Sequence, residues 1–595
     1  MQTYDSRNDV PEAEKWNLAD IYTSVEKWEA DYRKIEELTE ELRSYDGKIE
    51  NGNDLYHFLH KEEVVELLFK NVYVFARLSG DIDTRDTQAQ SLLEKADQLG
   101  VKVNSATSFF TPFLLSLEKS TLERFIDEEP RLDYFKKDLL DAYRYKAHVL
   151  SKENEELLSR LGESLSSPIR TFGMINNADM TFGEVTDGEG KKVRLTRGMY
   201  SKLIEDEDRA KREEAYRAYY KPYVQLKNSI ASTLSSAVKT NVTLSQLRNY
   251  PSALEKSLFG KKIPKDVYEN LIKTAKENLA PMYCYTELRK ETLGVTELRQ
   301  YDLAVPLVKG VKEDISYEDA YETMLEALVP LGSDYINVLK EMKNSRYIDV
   351  RETPGKRSGA YNMGLYGTHP FVLLNHQDDL DSLFTLAHEM GHAMHSHYSN
   401  THQPQITAGY TIFVAEVAST VNEVLLINYL LKNAKDKEYR KYLLNHFIDQ
   451  FKGTFFTQVM FAEFEKKTHE RAENGEPLNV DSFSEMYEAL FQEYNGEALV
   501  LEEETKYGWA RIPHFYRPFY VYQYATGFAA AIDIANKILS GDETTLRNYL
   551  EFLKSGSSDY PIELLKNAGV DLTRPEPVEN ALSLFGELID EFSAL

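Results

Sequence analysis

HEMGHAMH, residues His388–His395, places three histidines and one glutamate in a single short segment of a chain that has 13 histidines in 595 residues. At the helical rotation of about 100° per residue, His388, His392 and His395 fall in one narrow stripe, and Leu383, Leu386, Met390 and Met394 form a second stripe opposite. The apolar stripe can seat a helix in a core while the imidazoles look out onto a cleft or another helix. Histidines at i and i+4 bring two ring nitrogens close enough to share one ion, and Glu389 swings toward the flank of that ion. H-E-x-x-H on a helix is therefore the zincin pattern, two ligands and a general base. Imidazole and carboxylate suit zinc, and an open coordination position lowers the pKa of a held water to about 7.

Two sources of a third ligand are testable in the sequence. A metzincin extension requires glycine at position 395 and histidine at 398; the chain has His395 and Tyr398, which excludes it. The other source is a downstream glutamate. Past a loop containing Pro404 and Gly409 comes GYTIFVAEVASTVNEVLLINYLL (Gly409–Leu431), a second helical pattern with Val414, Ala418, Val421 and Leu425 on one stripe. Glu416 and Glu423 lie together on its opposite face. A helix, a loop and a returning helix place Glu416 beside the two histidines. A carboxylate on a polar helix face is ordinarily just solvated; two within an otherwise apolar helix call for a cation and its surroundings.

Composition narrows the class. The chain is long enough for a large core, and its 97 acidic against 70 basic residues give a formal net charge of -27. That balance argues against nucleic acid and against anionic membrane surfaces as partners. Cys284 is the single cysteine, so no intramolecular disulfide forms and a reducing compartment fits. The opening MQTYDSRNDVPEAEKW has no apolar signal core, and no stretch of about 20 apolar residues stands out, so the expected location is the cytoplasm.

Only 19 prolines and 29 glycines occur, and long segments carry helical periodicity, so the fold is expected to be predominantly α with small β elements. Thr181–Thr196 reads as two short strands about an Asp-Gly turn. Ser358–His376 reads as a strand, a glycine-rich turn, and a strand ending just before the histidine-bearing helix. The expected segments are residues 1–115, an N-terminal helical part; 116–180, a second helical region; and 181–595, the catalytic part.

These motifs together resemble a known family. HEMGH followed by FVAEVAS, with Glu416 24 residues beyond His392, is similar to the oligoendopeptidase F branch of the thimet oligopeptidase superfamily of zinc peptidases. WNLADIYTSVEKW (Trp16–Trp28), RNYPSALEKSLF (Arg248–Phe259), GKRSGAYNMG (Gly355–Gly364), HFYRPFYVYQYATG (His514–Gly527) and AGVDLTRP (Ala568–Pro575) extend the likeness over most of the chain. The resemblance implies an elongated multi-helix zincin-type peptidase with a deep central channel and the metal at its floor. It implies one zinc ion per chain and short peptides as substrates.

The expected chemistry is hydrolysis of internal bonds in short unstructured peptides. His388, His392 and Glu416 are the expected metal ligands and Glu389 the base that takes a proton from the attacking water and returns it to the leaving amine. Glu423 and His395 are expected to orient ligands rather than to bind the ion. Backbone groups at Gly359, Ala360 and Tyr361, on the strand before the helix, are expected to hold an extended substrate by strand addition. Donors to the developing oxyanion are sought in IPHFYRPFYVYQYATGF, with His514 first, then Tyr522, then Tyr520 and Tyr524; Pro518 suits a helix start that would put Tyr520 and Tyr524 on one face. The competing readings are a zinc exopeptidase that removes terminal residues or dipeptides, and a helical peptide-binding protein without catalysis.

Overall fold

The computed structural model describes residues 4–187, 190–308 and 314–595. Helices dominate, and the strands are few and short. The chain packs into two compact units. One gathers Met1–Val149, Lys312–Leu426 and Lys537–Tyr560; the other gathers Leu150–Val311, Ile427–Asn536 and Pro561–Leu595.

The first unit begins with three long helices, Val25–Arg43, Gly52–Ile82 and Thr87–Thr107. Asn51 caps the second by accepting from the Asp54 amide, and Asp86 caps the third by accepting from Gln88 and Ala89. Trp28, Ile35 and Leu42 recur at heptad spacing, which puts them on one face, and all three are fully buried. The Trp28 indole donates to the Val72 carbonyl at 2.8 Å, so this large ring is buried without leaving its N–H unpaired.

A small sheet follows in the same unit. Its middle strand, Phe371–Leu373, pairs parallel with Ile348–Asp349 and antiparallel with Tyr361–Met363. Tyr361 stands opposite Leu373 and Met363 opposite Phe371. The expected strand, turn and strand over Ser358–His376 are therefore present, and Tyr361–Met363 is an edge strand. Gly359 sits at φ +85°, a backbone conformation that disfavours side chains with a Cβ.

The histidine helix then runs Leu380–His402, with Asp379 at its N-cap accepting from the Ser382 amide at 2.8 Å. Leu383, Leu386, Met390 and Met394 are all buried, as the opposed stripe required. The glutamate helix runs Ile412–Lys432. With a mean hydropathy of 1.3 it is long and apolar enough to cross a membrane by length and composition, which corrects the expectation that no such stretch exists. Most of it is buried within the protein: its apolar surface covers a core, and the same composition serves both purposes.

The second unit holds the expected hairpin, Glu184–Thr186 paired antiparallel with Lys192–Arg194. Asp187 of its turn is described, and its amide bonds the Lys191 carbonyl; Gly188 lies outside the described residues. A parallel pair, Leu298–Arg299 with Leu499–Val500, completes the strands of this unit among the described residues. The helix Tyr522–Leu539 starts four residues later than Pro518 suggested. Phe519 is the reason. It adopts φ +53°, which no helix tolerates, and its amide donates to the buried Glu465 carboxyl at 3.1 Å. Pro518 thus opens a turn instead of a helix.

Candidate metal centre

The histidine and glutamate helices touch where glycine allows it. A Cβ on Gly391 would come within 2.6 Å of the Ser419 Cα and 2.7 Å of the Ala418 carbonyl oxygen, both backbone atoms of the neighbouring helix. No other residue permits that approach. Asn422 strengthens the same contact, donating to the Ala387 carbonyl at 3.1 Å while it accepts from the Tyr335 hydroxyl at 3.0 Å.

This packing brings His388, His392 and Glu416 together. One ligand-type atom from each lies within 4.8 Å of the others. Nε2 of His388 is 3.5 Å, and Nε2 of His392 3.9 Å, from the same Glu416 oxygen. Donors about 2.0–2.2 Å from a tetrahedral zinc stand roughly 3.4 Å from one another, so the three atoms need only small adjustments to share one ion.

The surrounding groups fit such an ion as well. Nδ1 of His388 is 2.9 Å from Glu423, whose carboxylate accepts its hydrogen bond and leaves Nε2 turned toward Glu416. The His392 ring bonds the backbone carbonyl of Ala415. Burial works against charge on His388, but Glu423, backed by Glu389 and Glu416, pushes its pKa up to about 9. Burial and the neighbouring His388 push His392 down to about 3, so its ring is neutral and ready to ligate. A proton held by three crowded carboxylates marks a place where a divalent cation would be better accommodated.

Glu389 lies on the flank. Burial pushes its pKa up to about 7, against the pull of His388, and the backbone amide of Asn362 on the edge strand bonds it. Its Oε2 is buried and has no protein partner, as expected of an atom kept for a water or a substrate. A carboxyl poised near neutral pH suits a group that takes and returns a proton.

The other expected residues divide. The Gly359 carbonyl already accepts from Asn375 at 2.7 Å, and the Tyr361 hydroxyl donates to Asp81 at 2.7 Å. Within this strand the group that reaches the candidate base is the Asn362 amide. His395 is fully buried, its ring stacked 3.7 Å from that of Tyr410, and burial pushes its pKa down to about 3. Its stacking partner, Tyr410, is in turn tied to the helix that carries His392. Tyr410, which the sequence reading did not single out, bonds Ser396 at 2.8 Å and the His392 carbonyl at 3.3 Å. Gly391 was also passed over, although an isolated glycine inside a helical pattern is itself a packing signal.

In the second unit, His514, Tyr520 and Tyr524 gather. The His514 ring lies 6.1 Å from Tyr520 and 6.3 Å from Tyr524, and the two tyrosine rings are 5.6 Å apart. Tyr522 does not share that cluster: it is buried, with its ring 5.0 Å from Tyr268. Tyr516 is buried too, bonded to Thr233 at 2.7 Å and stacked on Phe172.

Comparison with known proteins places the chain in a family. Residues 202–584 match the model of peptidase family M3, and residues 114–182 match that of the oligopeptidase F N-terminal region. The chain is 42% identical to oligopeptidase PepF of Bacillus subtilis, over 99% of this chain and 88% of that protein. It is 38% identical to an oligoendopeptidase F homolog of Lactococcus lactis, over 99% of this chain and 98% of that one. The crystal structure of oligoendopeptidase-F from Enterococcus faecium superposes with a TM-score of 0.76 at 36% identity, covering 96% of this chain and 98% of its own. The HEMGH helix and its glutamate are thus carried by a chain that matches such enzymes almost from end to end, and the chain belongs to peptidase family M3, as a metallopeptidase of the oligopeptidase F kind.

Proposed function

We propose that the protein is a zinc endopeptidase that cuts internal bonds of short unstructured peptides, with His388, His392 and Glu416 holding the ion and Glu389 acting as base and acid. The observation that carries this reading is the convergence of three ligand atoms beside a buried glutamate whose free oxygen has no protein partner. Bound there, zinc supplies Lewis acidity that lowers the pKa of water and polarises a carbonyl. The rest falls to the chain. Glu389 accepts the proton of the attacking water at Oε2 and passes it to the leaving amine. Glu423 keeps His388 in the tautomer that presents Nε2. The edge strand Tyr361–Met363 and the turn before it, Gly359 and Ala360, offer backbone groups to an extended peptide, which explains why a short sheet accompanies an otherwise helical site. His514, Tyr520 and Tyr524 are the donors we assign to the oxyanion, on the chemistry of a clustered imidazole and two phenols and on the family likeness. Tyr522, packed on Tyr268, is assigned a supporting role. The single cysteine, Cys284, is consistent with work in the cytoplasm.

The test is digestion of an internally quenched peptide by the metal-analysed protein, with fragments read by mass spectrometry. Internal cuts with one zinc per chain are expected. Release of terminal residues or dipeptides alone would make the protein an exopeptidase, and metal-loaded protein without cleavage would make it a binding protein.

A further inference from the structure

The second unit contains a cavity of about 420 Å³, a volume within the range of small-ligand sites. One part of its wall is rich in hydrogen-bond donors. Arg511 donates from Nε to the Tyr220 hydroxyl at 3.2 Å, and Gln300 donates to the same oxygen at 3.0 Å. A phenol oxygen that accepts twice still has its own O–H to give. The Arg511 guanidinium has no carboxylate partner among the described residues; the phenols of Tyr220, Tyr487, Tyr219 and Tyr200 lie around it. Tyr200, Tyr220 and Tyr487 all line the cavity beside it. An arginine set among aromatic rings is ordinarily paired with an anion, because desolvating its charge is costly.

Two acids also reach the wall, and neither forms an ion pair with Arg511. Asp449 already accepts from Tyr285 and from Asn445, each at 2.6 Å, and Glu205 has interactions of its own. The rest of the lining is mixed: Lys452, which donates to the Leu303 carbonyl at 2.6 Å and has Asp449 as a counter-charge, shares it with the apolar Met282, Phe456 and Met460. The wall also includes part of a π-helical turn, Phe451–Phe456, a distortion that often accompanies functional sites.

We propose that this cavity binds a small carboxylate-bearing molecule, its carboxylate on the Arg511 guanidinium and the Tyr220 hydroxyl and its hydrocarbon end among Met282, Phe456 and Met460. One planar guanidinium with phenols matches a singly charged, bidentate carboxylate. The ligand is either a free carboxylic acid or the C-terminal end of a peptide, since the two share this chemistry.

The test is calorimetry on the full-length, metal-loaded protein with 3-phenylpropionate and its neutral isostere 3-phenylpropionamide. The acid should bind at least about tenfold more tightly than the amide, the scale of one charge-assisted hydrogen-bond pair. Arg511→Gln should abolish that difference. Acid held by the metal centre would persist in this variant, so the loss reports on Arg511. Equal binding of acid and amide by the wild type, or undiminished acid binding by folded Arg511→Gln, overturns the proposal. Should Arg511→Gln fail to fold, Tyr220→Phe decides: binding weakened several-fold supports the site, and unchanged binding overturns it. With the site established, C-terminal amidation of a peptide substrate separates the sources. A KM raised in the wild type and not in the variant identifies the peptide terminus, and an unchanged KM identifies a free acid.

Discussion

His388 is asked to do two things at once. Its Nδ1 gives a proton to Glu423 at 2.9 Å, and its Nε2 stands 3.5 Å from Glu416. Glu423→Gln keeps an acceptor but removes the charge, so it should weaken metal affinity by about 10–100-fold without abolishing binding. Titration of the metal-loaded protein with a competing chelator measures this, and unchanged affinity would remove Glu423 from the account. The tyrosines are separated by the same kind of argument. The expected order put Tyr522 ahead of Tyr520 and Tyr524, but its ring is buried against Tyr268, whereas Tyr520 and Tyr524 lie with His514. Tyr520→Phe or Tyr524→Phe should therefore lower kcat by about 10²–10³ with KM and metal content nearly unchanged, and Tyr522→Phe should act mainly on stability. Steady-state kinetics on the three variants distinguishes the cases; a large kcat loss confined to Tyr522→Phe would restore the order read from the sequence.

At the level of elements, the pair of helices is the device that makes the site, and Gly391 is its hinge point. Gly391→Ala would drive a methyl group into the Ser419 backbone, which has no rotamer with which to yield. We expect a loss of about 1–3 kcal/mol in stability together with weaker metal binding, measured by denaturant unfolding and metal analysis. A variant as stable and as metal-replete as the wild type would show that the helices need not approach so closely. Much of this level was legible beforehand. His388, His392 and Glu416 could be placed because a rotation of about 100° per residue fixes which side chains share a face, and a short loop obliges the next helix to return. The start of the helix at Tyr522 was not legible. Proline fits the first helical position, but Phe519 is held at φ +53° by Glu465, 54 residues away in sequence, and no local pattern reports that contact.

For the molecule as a whole, each unit contains a buried aspartate held between two cations. In the first, Asp349 lies between Arg7 and Lys356, the latter at 2.8 Å. In the second, Asp302 lies between Arg209 and Arg212, at 2.8 and 2.7 Å. Burial opposes the charge in both, but the cations more than offset it and hold both carboxyls below the usual range. A carboxyl depressed on folding adds stability above its unfolded pKa of about 3.9 and loses it as pH falls through the lower folded value. Asp349→Asn should therefore cost about 3–5 kcal/mol at pH 7, and the gap to the wild type should narrow below about pH 4. Urea unfolding at both pH values checks it; a gap independent of pH would contradict the assignment. Arg7 reaches Asp349 across 342 positions and Arg209 reaches Asp302 across 93, and each unit is assembled from three separate stretches of chain. Neither left a mark in composition, so this level of the structure was the least legible from sequence.

The central claim is that His388, His392 and Glu416 hold the metal while Glu389 handles the proton. Metal content and peptide turnover measured on one preparation of Glu389→Gln test it most directly. The account predicts about one zinc per chain, as in the wild type, and turnover lower by about 10²-fold or more. Turnover close to that of the wild type in the metal-replete variant would contradict it.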